Sequence, residues 1–261
     1  MNLDERLIGR LRKALRLETP IIALYDTDPS AGFEPLVQAK GRACCFAYYQ
    51  RWLKGETLVI ERNGGSFQDP KNGCQGMHNA FGFGKGYPPW MAHFLTDGKD
   101  APMGEGLKAT PQLAQEFLDR AKAPTPAGDH ILIGALRLEH WDKVRTVSFF
   151  VDADRLSALM TLAAYWSSDP DEIAAPFSSG CGLMWRELMG FDRDRPIIGC
   201  TDIAMRKYLP PEILCLSVSP ARFEKMVNFP DDAFLNKEWW NELLKSREKS
   251  TVSRAAELEI T

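Results

Sequence analysis

The sequence contains no apolar run approaching the roughly 20 residues that a membrane-spanning helix needs. No secretory leader is expected: the opening stretch MNLDERLIGRLRKALRL is charged and amphipathic, where a signal peptide has a basic stub followed by an apolar run. Positive charge is not in excess. Lys and Arg number 32 against 35 Asp and Glu, for a net charge of −3, and the two signs are interspersed. Nucleic-acid binding calls for a dense phosphate-neutralising surface, so no nucleic-acid partner is expected. There is no Cys-x-x-Cys pair, the usual mark of structural zinc. Histidine is scarce, and the four present, His78, His93, His130 and His140, do not fall at ligand spacing. The glycine-rich stretch Gly82–Gly86 lacks the Gly-Lys-Ser/Thr ending of a phosphate loop, so no nucleotide motif is present. The acidic run from Asp169 to Glu172 lacks the spacing of a calcium loop. These absences point to a cytoplasmic protein with no membrane partner. In that compartment the six cysteines are expected to be thiols or ligands, not disulfides.

What is present is an ordinary globular composition, 44 % apolar and 26 % charged over 261 residues, enough to bury a sizeable core. Leu3, Leu7, Ile8, Leu11 and Leu15 recur at helical spacing, and Pro20 ends that pattern. Strands are predicted at 21–25, 57–60, 130–138, 146–151, 196–198 and 213–218. Helices are predicted from Cys44 or Cys45 through Trp52 to a stop at Gly55, from Thr110-Pro111 to about residue 122, and from Asp154 to Trp166. Further helices are predicted from Cys181 to Met189, from Cys200 to Tyr208, from Ser219-Pro220, and over 236–249. The mixed order predicts an α/β (mixed α+β) fold, a sheet covered by helices. A single domain over residues 1–250 is expected, with 251–261 a frayed tail.

Cysteines stand where helices are predicted to start. Cys45–helix–strand–Cys74–helix parallels Cys181–helix–strand–Cys200–helix, which raises an internal pseudo-two-fold repeat with four thiols at its centre. A helix N-terminus stabilises a thiolate, the form that ligates metal or attacks an electrophile. Glycines beside Cys74, Cys181 and Cys200 allow a bulky group to approach. The plain alternative is that these are small buried hydrophobes, the commonest fate of a free cysteine. Cys215 lies within a strand and is expected in the core. Of the adjacent Cys44 and Cys45, one is expected to pack. His78, a helical turn after Cys74, and Arg206, which could pair with a ligand carboxylate, are candidate accessories.

These residues resemble a known family. Thr19-Pro20-Ile21-Ile22-Ala23, Cys45 leading to Gly55-Glu56, Cys74-Gln75-Gly76 followed by Ala80-Phe81-Gly82, the lone Cys181, and Gly199-Cys200 with Arg206 are similar to the pattern of the bacterial and archaeal domain of unknown function 169. The resemblance runs over most of the chain. Departures are the doubled Cys44-Cys45, Met77 where a second glycine is usual, and a longer spacing from Cys200 to Arg206. It implies that the four-cysteine set belongs together but implies no reaction.

The preferred expectation is an iron–sulfur protein, with a [4Fe–4S] cluster on Cys45, Cys74, Cys181 and Cys200, in a redox or Lewis-acid role. Its partner would be a redox protein or a small-molecule substrate. Two alternatives stay open. One is a thiol enzyme with Cys74 or Cys200 as nucleophile, assisted by His78 or Arg206. The other is a small-molecule-binding accessory protein whose cysteines are structural.

Overall fold

The structure, a computed structural model, describes residues 3–28, 32–63, 74–84, 86–99, 104–120, 125–177, 179–185 and 194–247. The chain packs as two compact units, Met1–Glu18 with Glu224–Thr261, and Thr19–Phe223.

In the smaller unit, helix α1 (Glu5–Leu15) begins where the Asp4 carboxylate accepts the Leu7 N–H at 2.9 Å. Ile8, Leu11 and Leu15, on one helical face, are its buried residues. The helix stops short of Pro20, because Arg16 adopts a left-handed conformation and its N–H returns to the last turn. The Trp240 indole N–H donates to the Ala14 carbonyl at 2.8 Å, and the Arg10 guanidinium lies 4.0 Å from the Phe229 ring centre. Residues 238–247 are helical, within the span where the sequence predicts a helix.

The larger unit is built on a seven-stranded open sheet. Its strands are β1 (Ile22–Asp26), β2 (Leu36–Gln38), β3 (Thr57–Glu61), β4 (His130–Ala135), β5 (Val144–Val151), β6 (Ile197–Gly199) and β7 (Leu214–Val218). They lie in the order β2-β3-β4-β1-β5-β7-β6, with β2 and β3 parallel and the other neighbours antiparallel. β1 is buried at every residue. That burial explains the unbroken apolar run Ile21 to Tyr25, since a strand covered on both faces shows no alternation. Strand β2 is not predicted from the sequence: it is three residues long and buries only Val37.

The helices of this unit are α2 (Tyr49–Leu53), α3 (Gln75–Ala80), α4 (Met91–Phe94), α5 (Pro111–Arg120), α6 (Ala153–Ala163) and α7 (Gly180–Met184), and α8 (Pro220–Val227) begins at its end. Their starts follow capping chemistry. Thr110 Oγ1 accepts from Leu113 N, the Asp152 carboxylate from Arg155 N and Ser219 Oγ from Arg222 N. Gly55, at φ +83°, sits just after α2, as the C′ position requires. Two predicted helices are tighter than expected: Cys45–Tyr48 and Ile203–Tyr208 are 3-10 turns. The Arg222 guanidinium is buried and donates to the Ala163 carbonyl at 2.8 Å and to Glu172 at 2.5 Å, and lies 3.3 Å from an Asp194 carboxylate oxygen. It ties the end of α6 to the segments that follow. Among the described residues, no helix is long and apolar enough to cross a membrane.

Candidate metal centre

All six cysteines belong to one apolar cluster lying on the sheet, although they enter it from five separate places in the sequence. None is in a disulfide. The clustering follows from the elements that carry them. The 3-10 turn Cys45–Tyr48 opens with its Cys44 cap in extended backbone, and the Cys44 thiol raises the cost of ionising Cys45. Cys74 is drawn to the same place by its backbone N–H, which donates to the Ala43 carbonyl at 3.2 Å. It is the N-cap of α3, its sulfur accepting the Met77 N–H at 3.3 Å. Cys181 comes in on α7, which packs against α3. There Ser179 Oγ accepts the Gly182 N–H and stands 3.3 Å from the Cys181 sulfur. Residue 180 must be glycine for this approach: a Cβ there would come within 2.5 Å of the Phe46 ring.

Four thiols are thereby joined. Cys181 and Cys44 both act on the ionisation of Cys45 and of Cys74. Cys200 stands differently. It precedes no cap of its own, because Asp202 caps the following 3-10 turn, and its backbone is left-handed at φ +62°. Its ionisation is opposed by Cys215 and, less strongly, by Cys44. Of the four cysteines singled out in the sequence, the structure therefore joins Cys45, Cys74 and Cys181 directly, adds Cys44 between them, and pairs Cys200 with Cys215.

The accessory candidates are also placed. His78 is buried on α3, its ring 6.4 Å from that of Phe83. The Arg206 guanidinium donates to the backbone carbonyls of Cys200 at 3.3 Å, Pro210 at 3.1 Å and Pro211 at 2.7 Å, and to that of Ile213. Arg206 thus clamps the turn between β6 and β7 and is held by main-chain oxygens on several sides.

The electrostatics run against a simple helix-start thiolate. Burial, and then the thiols of Cys181 and Cys44, push Cys74 up to about 12, overriding the lowering pull of the Met77 and Gly76 N–H groups. Cys45 is held well above its ordinary value by its hydrogen bonds with Cys181 and Cys44 and by burial. Burial and the Cys215 thiol do the same to Cys200. Cys215 goes the other way: burial opposes ionisation, but hydrogen bonds from Cys200, Ser217 and Ser148 lower it. Helices α3 and α7, of six and five residues, are too short to offset the loss of water around a thiolate.

A group of thiols that resist ionisation one beside another is stable as thiolates only with compensating positive charge, which is what a metal supplies. The donor set is soft sulfur, suited to zinc, copper(I) or an iron–sulfur cluster. Among the described residues, no three His, Cys, Asp or Glu side chains stand as ligands of a single metal ion. Tetrahedral zinc would need its sulfurs about 3.8 Å apart around one point, from a Zn–S distance of about 2.3 Å. In a cluster each thiolate holds a different iron, so the ligands stand further from one another. Two further atoms fit a sulfur-rich guest. The indole N–H groups of Trp52 and Trp185 are buried in the same apolar cluster with no hydrogen-bond partner among the described residues. Phe46, next to Cys45, packs edge-on to Trp52 at 5.7 Å between ring centres, and Phe81, ending α3, lies 6.2 Å from Trp185. The sequence carried a signal for both: Trp52 is two helical turns after Cys45, and Trp185 one turn after Cys181.

Beyond α3, a cavity of about 310 Å3 is lined by residues that include Asn79, Tyr87, Gln115, Leu118 and Asp119. Its walls carry no cysteine.

No curated protein and no solved structure matches this chain. A family model does, over residues 10–228, and its description is an uncharacterised ArCR family. That span takes in the second half of α1, the whole sheet and every cysteine, and the chain accordingly belongs to the domain of unknown function 169 family.

Proposed function

We propose that this protein holds an iron–sulfur cluster, of the [4Fe–4S] type, on Cys44, Cys45, Cys74 and Cys181. The observation that carries the reading is the convergence of these four thiols from three distant segments on one apolar cluster, where Cys181 and Cys44 raise the cost of ionising Cys45 and Cys74. Relative to the set expected from sequence, Cys44 takes the place of Cys200. When bound, the cluster supplies one-electron redox chemistry or, with one iron left open, Lewis-acid chemistry.

The chain's own residues then have defined parts. Cys74 is aimed by its α3 cap bond, Cys181 is oriented by Ser179, and the Phe46 and Phe81 rings exclude water. The indoles of Trp52 and Trp185 supply two donors for sulfur acceptors, the kind of outer contact that tunes a cluster. The thiol-enzyme reading is weakened by the direction of the shifts, since a nucleophilic cysteine needs its thiolate favoured and Cys74 and Cys200 have theirs disfavoured.

Single Cys→Ser substitutions test the assignment. Cys45→Ser, Cys74→Ser and Cys181→Ser are expected to abolish iron and sulfide incorporation on anaerobic reconstitution. Cys44→Ser is expected to do likewise, and Cys200→Ser to retain both. Retention in Cys44→Ser with loss in Cys200→Ser would return the fourth ligand to Cys200. Incorporation unaffected by all five substitutions would remove the cysteine cluster as the site.

A further inference from the structure

Cys200 and Cys215 are left over by the metal reading, and they are not two lone cysteines. Each thiol acts on the other's ionisation, both pack in the same apolar cluster, and both are 1 % exposed. The pairing is set by backbone. Gly199 stands opposite Cys215 in the β6–β7 ladder, so Cys200 is the first residue beyond it. There the chain turns left-handed, at φ +62°, a conformation that a cysteine adopts only when its surroundings impose it. Arg206 imposes it from outside, its guanidinium bonded to the Cys200 carbonyl at 3.3 Å and to the far end of the same turn.

A polar chain continues inward from the pair. Cys215 Sγ lies 3.5 Å from Ser217 Oγ, which lies 2.8 Å from Ser148 Oγ on the neighbouring strand. Both hydroxyls are buried. Strand residues in such a position are normally aliphatic, because an unpaired hydroxyl there is costly. Here the two serines and the two thiols satisfy one another. The arrangement gives Cys215 a polar partner in Ser217 and sets Cys200 next to Gly199, the ladder partner of Cys215, which brings two thiols to one place in the sheet.

We propose that Cys200 and Cys215 form a reversible two-electron dithiol–disulfide couple, separate from the metal-binding thiols and oxidised by peroxides. The step balances with one peroxide. Cys215, through its thiolate, attacks one peroxide oxygen, the O–O bond breaks, and a sulfenic acid forms with release of one water. Cys200 then displaces the hydroxyl from that sulfur, forming the S–S bond and releasing a second water. Two thiols have lost two electrons and two protons to hydrogen peroxide. A small dithiol reverses it by two successive exchanges. Hydrogen peroxide is about the size of water, so local opening at the β6 sheet edge admits it where larger oxidants are excluded.

The proposal does not depend on the cluster, and its test reads the cysteines directly. The full-length protein, metal-free and separately after iron and sulfide reconstitution, is treated with hydrogen peroxide, alkylated, digested with trypsin and analysed by mass spectrometry. Arg206 and Lys207 lie between the two cysteines, so trypsin places them on different peptides and a bond between them links two fragments. The expected result, in both preparations, is a Cys200–Cys215 linked pair that dithiothreitol separates. In Cys215→Ser the remaining Cys200 is expected to form no link. Three results would overturn the couple: both cysteines still alkylated, either one driven to sulfinic acid, or a link to any other cysteine in place of this one. Failure of iron incorporation alone sinks the cluster reading and leaves this couple standing.

Discussion

The Cys181 thiol is the largest influence holding Cys45 protonated, although the chain completes five helices, α2 to α6, and three sheet strands between them. Cys45 and Cys74 are both pushed upward, and both therefore hold their protons at neutral pH. Metal loading must release them. Calorimetric loading in buffers of different ionisation enthalpy is expected to report a net release of several protons per chain; a proton count near zero would mean that thiols are not the ligands.

The same protons make metal-free stability fall in alkali. Cys74 has its folded value raised from 9.0 to about 12, so between those limits the folded chain keeps a proton that the unfolded chain has lost. The contribution is fully present below pH 9.0 and disappears as pH rises toward 12. Melting temperature of the metal-free protein is expected to drop across that window, and less steeply for Cys74→Ala. An identical slope in the variant would place the titrating group elsewhere.

The two orphaned indoles give a prediction of opposite sign in the two forms. A buried N–H without an acceptor costs about 1–3 kcal/mol. Trp52→Phe and Trp185→Phe are therefore expected to cost the metal-free protein little, because the lost packing is offset by removal of the unpaired donor. With the cluster bound, the donors have acceptors, and either substitution is expected to lower the reduction potential. Equal effects on both forms, or no change in potential, would show that the indoles do not address the site.

Much of this was legible in the residues. Pro111 after Thr110, Asp152 before Ala153 and Ser219 before Pro220 are helix starts that local chemistry alone dictates, and all three hold. The apolar runs of β1, β4, β5 and β7 announce buried strands for the same local reason. Strand β2 was not legible, because a three-residue edge strand burying one side chain leaves no period to read. Nor was the grouping of the thiols. Which cysteines meet depends on sheet order, and nothing near Cys200 signals that β6 lies beside β7 with Cys215 opposite Gly199. The expectation that one of Cys44 and Cys45 packs assumed a regular helix, whereas Cys44 is extended backbone ahead of a 3-10 turn.

The buried Arg222 network predicts a stability effect independent of any metal. Arg222→Leu leaves Glu172, 6 % exposed, without its guanidinium, and is expected to cost about 3–5 kcal/mol in urea unfolding. Adding Glu172→Leu should recover much of that loss, since the uncompensated charge is then gone. A double variant as unstable as the single one would assign the loss to the Ala163 and Asp194 contacts instead.

The most direct test of the central claim is the iron and acid-labile sulfide content of the protein reconstituted anaerobically and desalted, measured with its visible spectrum. The account predicts about four irons and four sulfides per chain, with broad visible absorbance that bleaches on reduction and is absent from Cys45→Ser. A colourless wild-type protein with neither iron nor sulfide after reconstitution would contradict it.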